Sequence, residues 1–234
     1  MPPQTRTTMT RFAWILAAGL LLTGCASTSF TPRTVDCGRL TPVSNPSGRI
    51  ELASLGVSIV PPQASRWCMS PMAADVFSFG THSLMGRYLE TAPTVAEAAH
   101  TLGILVMSAP PPADAKLDTP EDLLAVAQRM LGGSDRFRTV ESRLLPDSAI
   151  GADCIMFDAV LEERNNPRTP GLVLQVVSRR NHLCRHPYAR SPTLVLWGAS
   201  ERYAQGTVSP PSLIDTLQPE WEPSVQSVQF LRPR

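Results

Sequence analysis

The amino-acid sequence predicts an α+β domain: a mainly antiparallel sheet with one or two helices packed on one face. Three observations carry this expectation. Short segments with apolar residues at every second position recur, one well-capped amphipathic helix stands among them, and four strand-like segments then follow one another with only loops between. With 234 residues, 43% of them hydrophobic, the chain can bury a sizeable core.

Residues 1–10 are polar, and Arg6 and Arg11 precede an apolar run over 12–23 (FAWILAAGLLLT) that reads as a signal peptide. At 1.5 Å per residue the run reaches about 18 Å, against roughly 30 Å for a bilayer core, so a cleaved leader fits it better than a permanent span. Leu22-Thr23-Gly24-Cys25 resembles the bacterial lipobox. That resemblance implies a diacylglyceryl group on Cys25, removal of the leader 1–24 and acylation of the new amine. Several acyl chains, at about 0.8 kcal/mol per buried CH₂, make such attachment permanent. Ala26 stands where an Asp is absent, which by analogy with enterobacterial sorting points to the outer membrane. Loss of Arg6 and Arg11 leaves 19 basic against 20 acidic residues. Residues 25–47, rich in Ser, Thr and Pro, read as a lipidated tether of roughly 25 Å reach, and 48–234 as a single domain.

Within the domain, 56–61 (GVSIVP) and 75–80 (DVFSFG) alternate as short strands, and 100–108 (HTLGILVMS) is apolar enough for a buried one. The helix follows the triple proline 110–112. Thr119 caps it, Pro120 suits its first turn and Asp122 takes the capping-box position. Leu123, Ala127, Met130 and Leu131 line one face, and Gly132-Gly133 stops it. Strands are expected over about 136–145, 152–163, 171–184 and 192–199, the middle two joined by the turn-forming NNPRTPG of 165–171. From 210 onward Leu213, Leu217, Trp221, Val225 and Val228 fall at helical spacing, interrupted by Pro219 and Pro223. Trp67 and Trp221 read as core residues.

Setting Cys25 aside leaves Cys37, Cys68, Cys154 and Cys184, an even set that in an exported chain reads as two disulfides with three possible connectivities, or else as four buried thiols. Nearest-neighbour pairing joins Cys37 to Cys68 and Cys154 to Cys184. The second pair meets a difficulty of parity. Apolar positions are odd on 153–163 (Ile155, Phe157, Ala159, Leu161) and even on 171–184 (Leu172, Leu174, Val176), so facing residues should sum to an odd number, and Cys154 with Cys184 does not. A bulge near Ser178-Arg179-Arg180, or a strand that ends before Cys184, would restore the match.

A formal charge of +1 and a pI of 7.7 argue against the basic stripe of a nucleic-acid binder. Dinucleotide, phosphate-loop, serine-nucleophile, zinc-protease and C-x-x-C spacings do not occur, and no cofactor or metal is expected. Four arginines, Arg179, Arg180, Arg185 and Arg190, cluster with His182 and His186. They read either as anion contacts or as a solvated strand end. His182, Cys184 and His186 alternate as a metal set would, but a bridged Cys184 cannot ligate and Pro187 ends the strand. Asp158, Glu162 and Glu163 read as the wet face of a strand, and His82 and His100 as structural histidines without a visible acid partner.

Trp67-Cys68, His100-Thr101, Asp153-Cys154, Cys184-Arg185-His186-Pro187, Ser200-Glu201-Arg202 and Glu220-x-Glu222-Pro223 with Ser227-Val228-x-Phe230 resemble a family of proteobacterial envelope lipoproteins. The order of elements is similar to the PsbP-like α+β fold, whose small exported domains serve as binding or assembly factors. The resemblance implies an envelope address and no particular activity. The expectation is therefore a periplasm-facing domain held to the membrane through Cys25, a non-enzymatic binding or assembly module with an envelope protein partner. Its rivals are an enzyme with a dispersed site near His182 and His186, and a purely structural lipoprotein.

Overall fold

The computed structural model describes residues 41–42, 48–62, 67–81, 100–146, 153–167, 169–205 and 212–232. Cys25, Cys37, His82, the lipobox and most of the tether lie outside them. In chain order the elements are β1 (Thr41–Pro42), β2 (Ile50–Leu52), a 3₁₀ turn (Ala53–Leu55), β3 (Val57–Ile59), β4 (Trp67–Ala73), β5 (Val76–Thr81) and β6 (Thr101–Ala109). There follow α1 (Pro120–Gly132), β7 (Phe137–Leu144), β8 (Cys154–Glu163), β9 (Leu174–Arg185), β10 (Leu194–Ala204), α2 (Leu213–Thr216), α3 (Gln218–Gln226) and β11 (Gln229–Phe230). Eight strands form one sheet in the order β1-β4-β5-β6-β10-β9-β8-β7, and β11-β3-β2 form a second. All the recorded pairings are antiparallel, as expected. The sheet starts at Thr41, inside the stretch expected to be tether.

The helices correct one detail of the expectation: they cover both faces. Alternation along β10 sends Leu194 and Leu196 to the side of α1, where they pack with Leu123, Val126, Ala127, Ile155, Phe157 and Leu161. Val195, Trp197 and Ala199 point the other way, against Trp67, Phe79, Ile104, Ile214 and Trp221 of a second core beneath α2, α3 and the small sheet.

Helix α1 follows its sequence signals. The Thr119 Oγ1 accepts from the Asp122 N–H at 3.1 Å, and Asp122 Oδ2 accepts from the Thr119 N–H at 3.2 Å, which completes the capping box. Its glycine stop works by close approach: a Cβ on Gly132 would sit 2.3 Å from Thr139 Oγ1 on β7. The C-terminal helical stretch breaks at Leu217, ahead of Pro219, while Pro223 sits inside α3 without ending it.

A bulge settles the parity problem. Phe157 faces Asn181 but Ala159 faces Ser178, so β9 sets Arg179 and Arg180 against the single Asp158. Above this point Cys154 faces Cys184 and the two are disulfide-bonded. Leu183, an odd position, thereby reaches the same core as Val176. Cys68 is disulfide-bonded as well, to a partner outside the described residues.

Candidate functional site

The bulge organises the polar chemistry of the molecule. Arg180 takes a left-handed conformation (φ 48°) and turns its N–H to Asp158 Oδ1 at 3.0 Å. The Asp158 Oδ2 then accepts from Arg143 and Arg179, each at 3.1 Å. Asn181, buried beside them, donates to the Phe157 carbonyl at 3.2 Å and accepts from Ser178 Oγ at 2.7 Å. The facing residue on β10 is Gly198, where a Cβ would stand 2.2 Å from Asn181 Oδ1.

These contacts engage three of the four arginines named as anion-contact candidates. Arg179 is spent on Asp158, Arg180 on Glu222, and Arg185 on Asp153 and the Leu117 carbonyl. Of the four, Arg190 alone is exposed with no recorded ion pair. The acids once read as a wet strand face are instead buried beneath guanidinium groups. Glu162 is shared by Arg138 and Arg164, and the Arg164 bond leads the effects that hold its carboxyl below the usual range. Glu163, 0% exposed, lies between Arg136 and Arg202 on the opposite face.

His182 and His186 do share a face, but neither is poised for chemistry. His182 stacks on Trp197 with ring centroids 4.9 Å apart, and burial pushes its pKa down to about 4, so the ring is neutral. His186 is bonded through Nε2 to the Gly56 carbonyl at 2.8 Å, while its Nδ1 accepts from the Tyr188 N–H at 3.1 Å. Both ring nitrogens are thereby occupied, with the proton on Nε2. Cys184 between them is bridged. Among the described residues no group of His, Cys, Asp and Glu is placed to hold a metal.

The strongest polar node is one that local sequence does not reveal. Glu201 on β10 is buried and bonds His100 Nε2 at 2.6 Å, which gives His100 the acid partner its sequence neighbourhood lacks. The same carboxylate accepts from Ser212 Oγ at 3.0 Å and from the N–H groups of Leu213 and Ile214 at 2.8 and 3.1 Å, capping α2. Burial raises its pKa, but His100, the two backbone donors and Ser212 outweigh burial and hold it below the usual range. Burial, helped by the Glu201 charge, raises that of the neighbouring Tyr203 phenol. A shallow pocket of about 170 Å³ opens here, lined by Val177, Arg179, Glu201, Tyr203, Ser212, Ile214 and Asp215. The order of bonds in it is Ser–Glu–His. A hydroxyl nucleophile needs its base against the hydroxyl, and here the imidazole is separated from Ser212 by the carboxylate.

Several residue pairs distant in sequence meet as braces. His100 joins Glu201, Cys154 joins Cys184, and Trp67 Nε1 donates to Glu220 Oε2 at 2.9 Å.

No family model matches the chain, and no curated protein matches it in sequence. Among solved structures it is similar to the Ran-binding protein Mog1p of Saccharomyces cerevisiae, with TM-score 0.46 and 12% identity over 79% of this chain and 95% of that one. It is similar to a Mog1 point mutant at TM-score 0.45 and 12% identity, over 79% and 96% of the two chains. A protein of Bacteroides thetaiotaomicron follows at TM-score 0.34 and 11% identity, over 80% of this chain and 49% of the other. Likenesses this slight carry no functional inference, and function is argued from the side chains.

Proposed function

We propose that this chain is an envelope lipoprotein, anchored through acyl groups on Cys25 to the outer membrane and facing the periplasm, whose α+β domain is a non-enzymatic binding or assembly module with an envelope protein partner. The carrying observation is a lipobox-like Leu22-Thr23-Gly24-Cys25 ahead of a domain with disulfide-bonded cysteines, a combination that suits an exported chain. With Cys25 acylated and Cys154 bonded to Cys184, Cys37 is the cysteine left to pair with Cys68. A binding role is favoured over a dispersed catalytic site by the state of the polar groups. His182 is buried and neutral, both nitrogens of His186 are engaged, and Glu201 holds four donors.

The test is to replace Cys25 with Ala in the full chain, then follow fractionation and metabolic incorporation of labelled palmitate. The native chain is expected in the membrane fraction with label, and the variant without label. Equal labelling of the two chains would overturn the anchor. Crosslinking of the native lipidated protein in intact envelopes, read by mass spectrometry, is expected to recover one near-stoichiometric protein. Recovery of none would overturn the assembly role.

A further inference from the structure

Nearly every described arginine has an internal partner. Arg129, Arg136, Arg138, Arg143, Arg164, Arg179, Arg180, Arg185 and Arg202 are ion-paired, and Arg49 bonds the Ser58 and Ser227 carbonyls. Arg190 and Arg232 remain, both exposed and with no recorded carboxylate or carbonyl acceptor. They stand on either side of Tyr188, in sequence or in space: Arg190 is two residues along the same loop, and the Arg232 guanidinium lies 5.1 Å over the Tyr188 ring. Tyr188 is 39% exposed and, with Val140, is one of two large apolar side chains exposed among the described residues. Its loop is held in place, because its N–H donates to His186, whose ring packs 5.0 Å from Phe230. An exposed amphipathic ring flanked by cations that lack carboxylate partners is a pattern suited to a membrane–water interface.

Topology places this cluster at a particular end of the sheet. β4 runs toward its turn with β5, and that end also carries the loop between Arg185 of β9 and Leu194 of β10. β1 is antiparallel to β4, with Thr41 opposite Met69 and Pro42 opposite Cys68, so its N-terminal end points the same way. With Cys37 paired to Cys68 as proposed above, residues 26–36 link Cys25 to the cysteine bonded to β4, a stretch that can span at most about 40 Å. Three to four strand spacings of about 4.8 Å separate β4 from the β9–β10 loop, within that reach. Lys116, in the loop whose Leu117 carbonyl binds Arg185, adds a further exposed cation. Of the acids near this end, Asp114 and Asp153 are paired with Arg129 and Arg185, while Asp75, Asp118 and, in the first turn of α1, Glu121 are exposed.

We propose that this end of the sheet docks on anionic phospholipid, with Tyr188 at headgroup level and Arg190 and Arg232 against lipid phosphates. The proposal rests on the anchoring of Cys25 proposed above. Docking fixes the orientation of the domain on the bilayer and turns the β7 edge, at the far side of the sheet from β1, to face away from the tether.

The purified lipidated chain, reconstituted into phosphatidylethanolamine vesicles with or without phosphatidylglycerol, tests it by flotation and hydroxyl-radical footprinting. The chain is expected to float with both vesicles, while labelling of Tyr188 falls about fivefold with phosphatidylglycerol and the peptide of β7 keeps its labelling. Replacing Arg190 and Arg232 with Glu, at exposed positions, is expected to restore Tyr188 labelling without loss of flotation. Flotation with equal Tyr188 labelling on the two lipids, or protection that survives the charge reversal, overturns the docking and leaves the anchor standing. Failure to float overturns the anchor and the docking with it.

Discussion

His182 shows how one residue couples this core to pH. It is 6% exposed and stacked on Trp197, and burial, with the charge of Arg180 adding to it against a backbone bond, holds its pKa near 4. In the unfolded chain the same ring titrates near 6.5. Between those values the unfolded state binds the proton more readily, so this contribution is fully present above pH 6.5 and is lost as pH falls toward 4. Over pH 7.5 to 5 the loss should come to about 2 kcal/mol. Urea titrations of the native chain and of His182→Phe at the two pH values isolate it, since the other titrating groups are common to both. A native chain no more acid-sensitive than the variant would show that the ring is not held neutral by burial.

At the scale of elements, the bulge carries the most consequence, because it lets the disulfide and both cores coexist on β8, β9 and β10. Gly198 is its tightest point: a Cβ would meet Asn181 Oδ1 at 2.2 Å and the Asn181 Cα at 2.9 Å. Moving the side chain alone cannot relieve the backbone contact. Gly198→Ala should therefore destabilise the fold by about 1–3 kcal/mol, read as a lower urea midpoint at unchanged slope. A change within about 0.5 kcal/mol would mean that β10 slides past the bulge without resistance. How much of this was legible follows from range. Alternation marked β3, β5, β8 and β9, a continuous apolar run marked β6, and the Thr119–Asp122 box marked α1, because those signals are local. Parity arithmetic requires either a bulge near Ser178-Arg179-Arg180 or a strand that ends before Cys184, and the structure has the bulge, with β9 running on to Arg185. β1, β2 and β11 are too short for periodicity to register, and β4 carries Pro71, which lies beyond the reach of the β1 pairing. His100 and Glu201 stand 101 residues apart, so nothing in either neighbourhood announces their bond. The buried arginine–carboxylate pairs were hidden for the same reason. An acid alternating with apolar residues reads as solvated until the strand that brings its arginines is known.

For the molecule as a whole, the two cores lie back to back on one sheet, and the question is whether they unfold together. Strands β9 and β10 contribute to both, Leu183 and Leu196 on one face and Cys184 and Trp197 on the other, so neither core can be lost without stripping the shared strands. The tryptophans offer a one-sided reporter. Trp67, Trp197 and Trp221 all belong to the core under α2 and α3, and none to the core under α1. Leu123, buried beneath α1, is the reciprocal perturbation, and Leu123→Ala should cost about 2–5 kcal/mol by leaving a cavity there. If the shared strands couple the cores, tryptophan fluorescence and far-ultraviolet circular dichroism will shift to the same lower urea midpoint, although no tryptophan is in the core that Leu123 fills. A shift in the dichroism alone, with the fluorescence transition left in place, would show that α1 and its core form a separately melting unit and that the sheet transmits nothing between its faces.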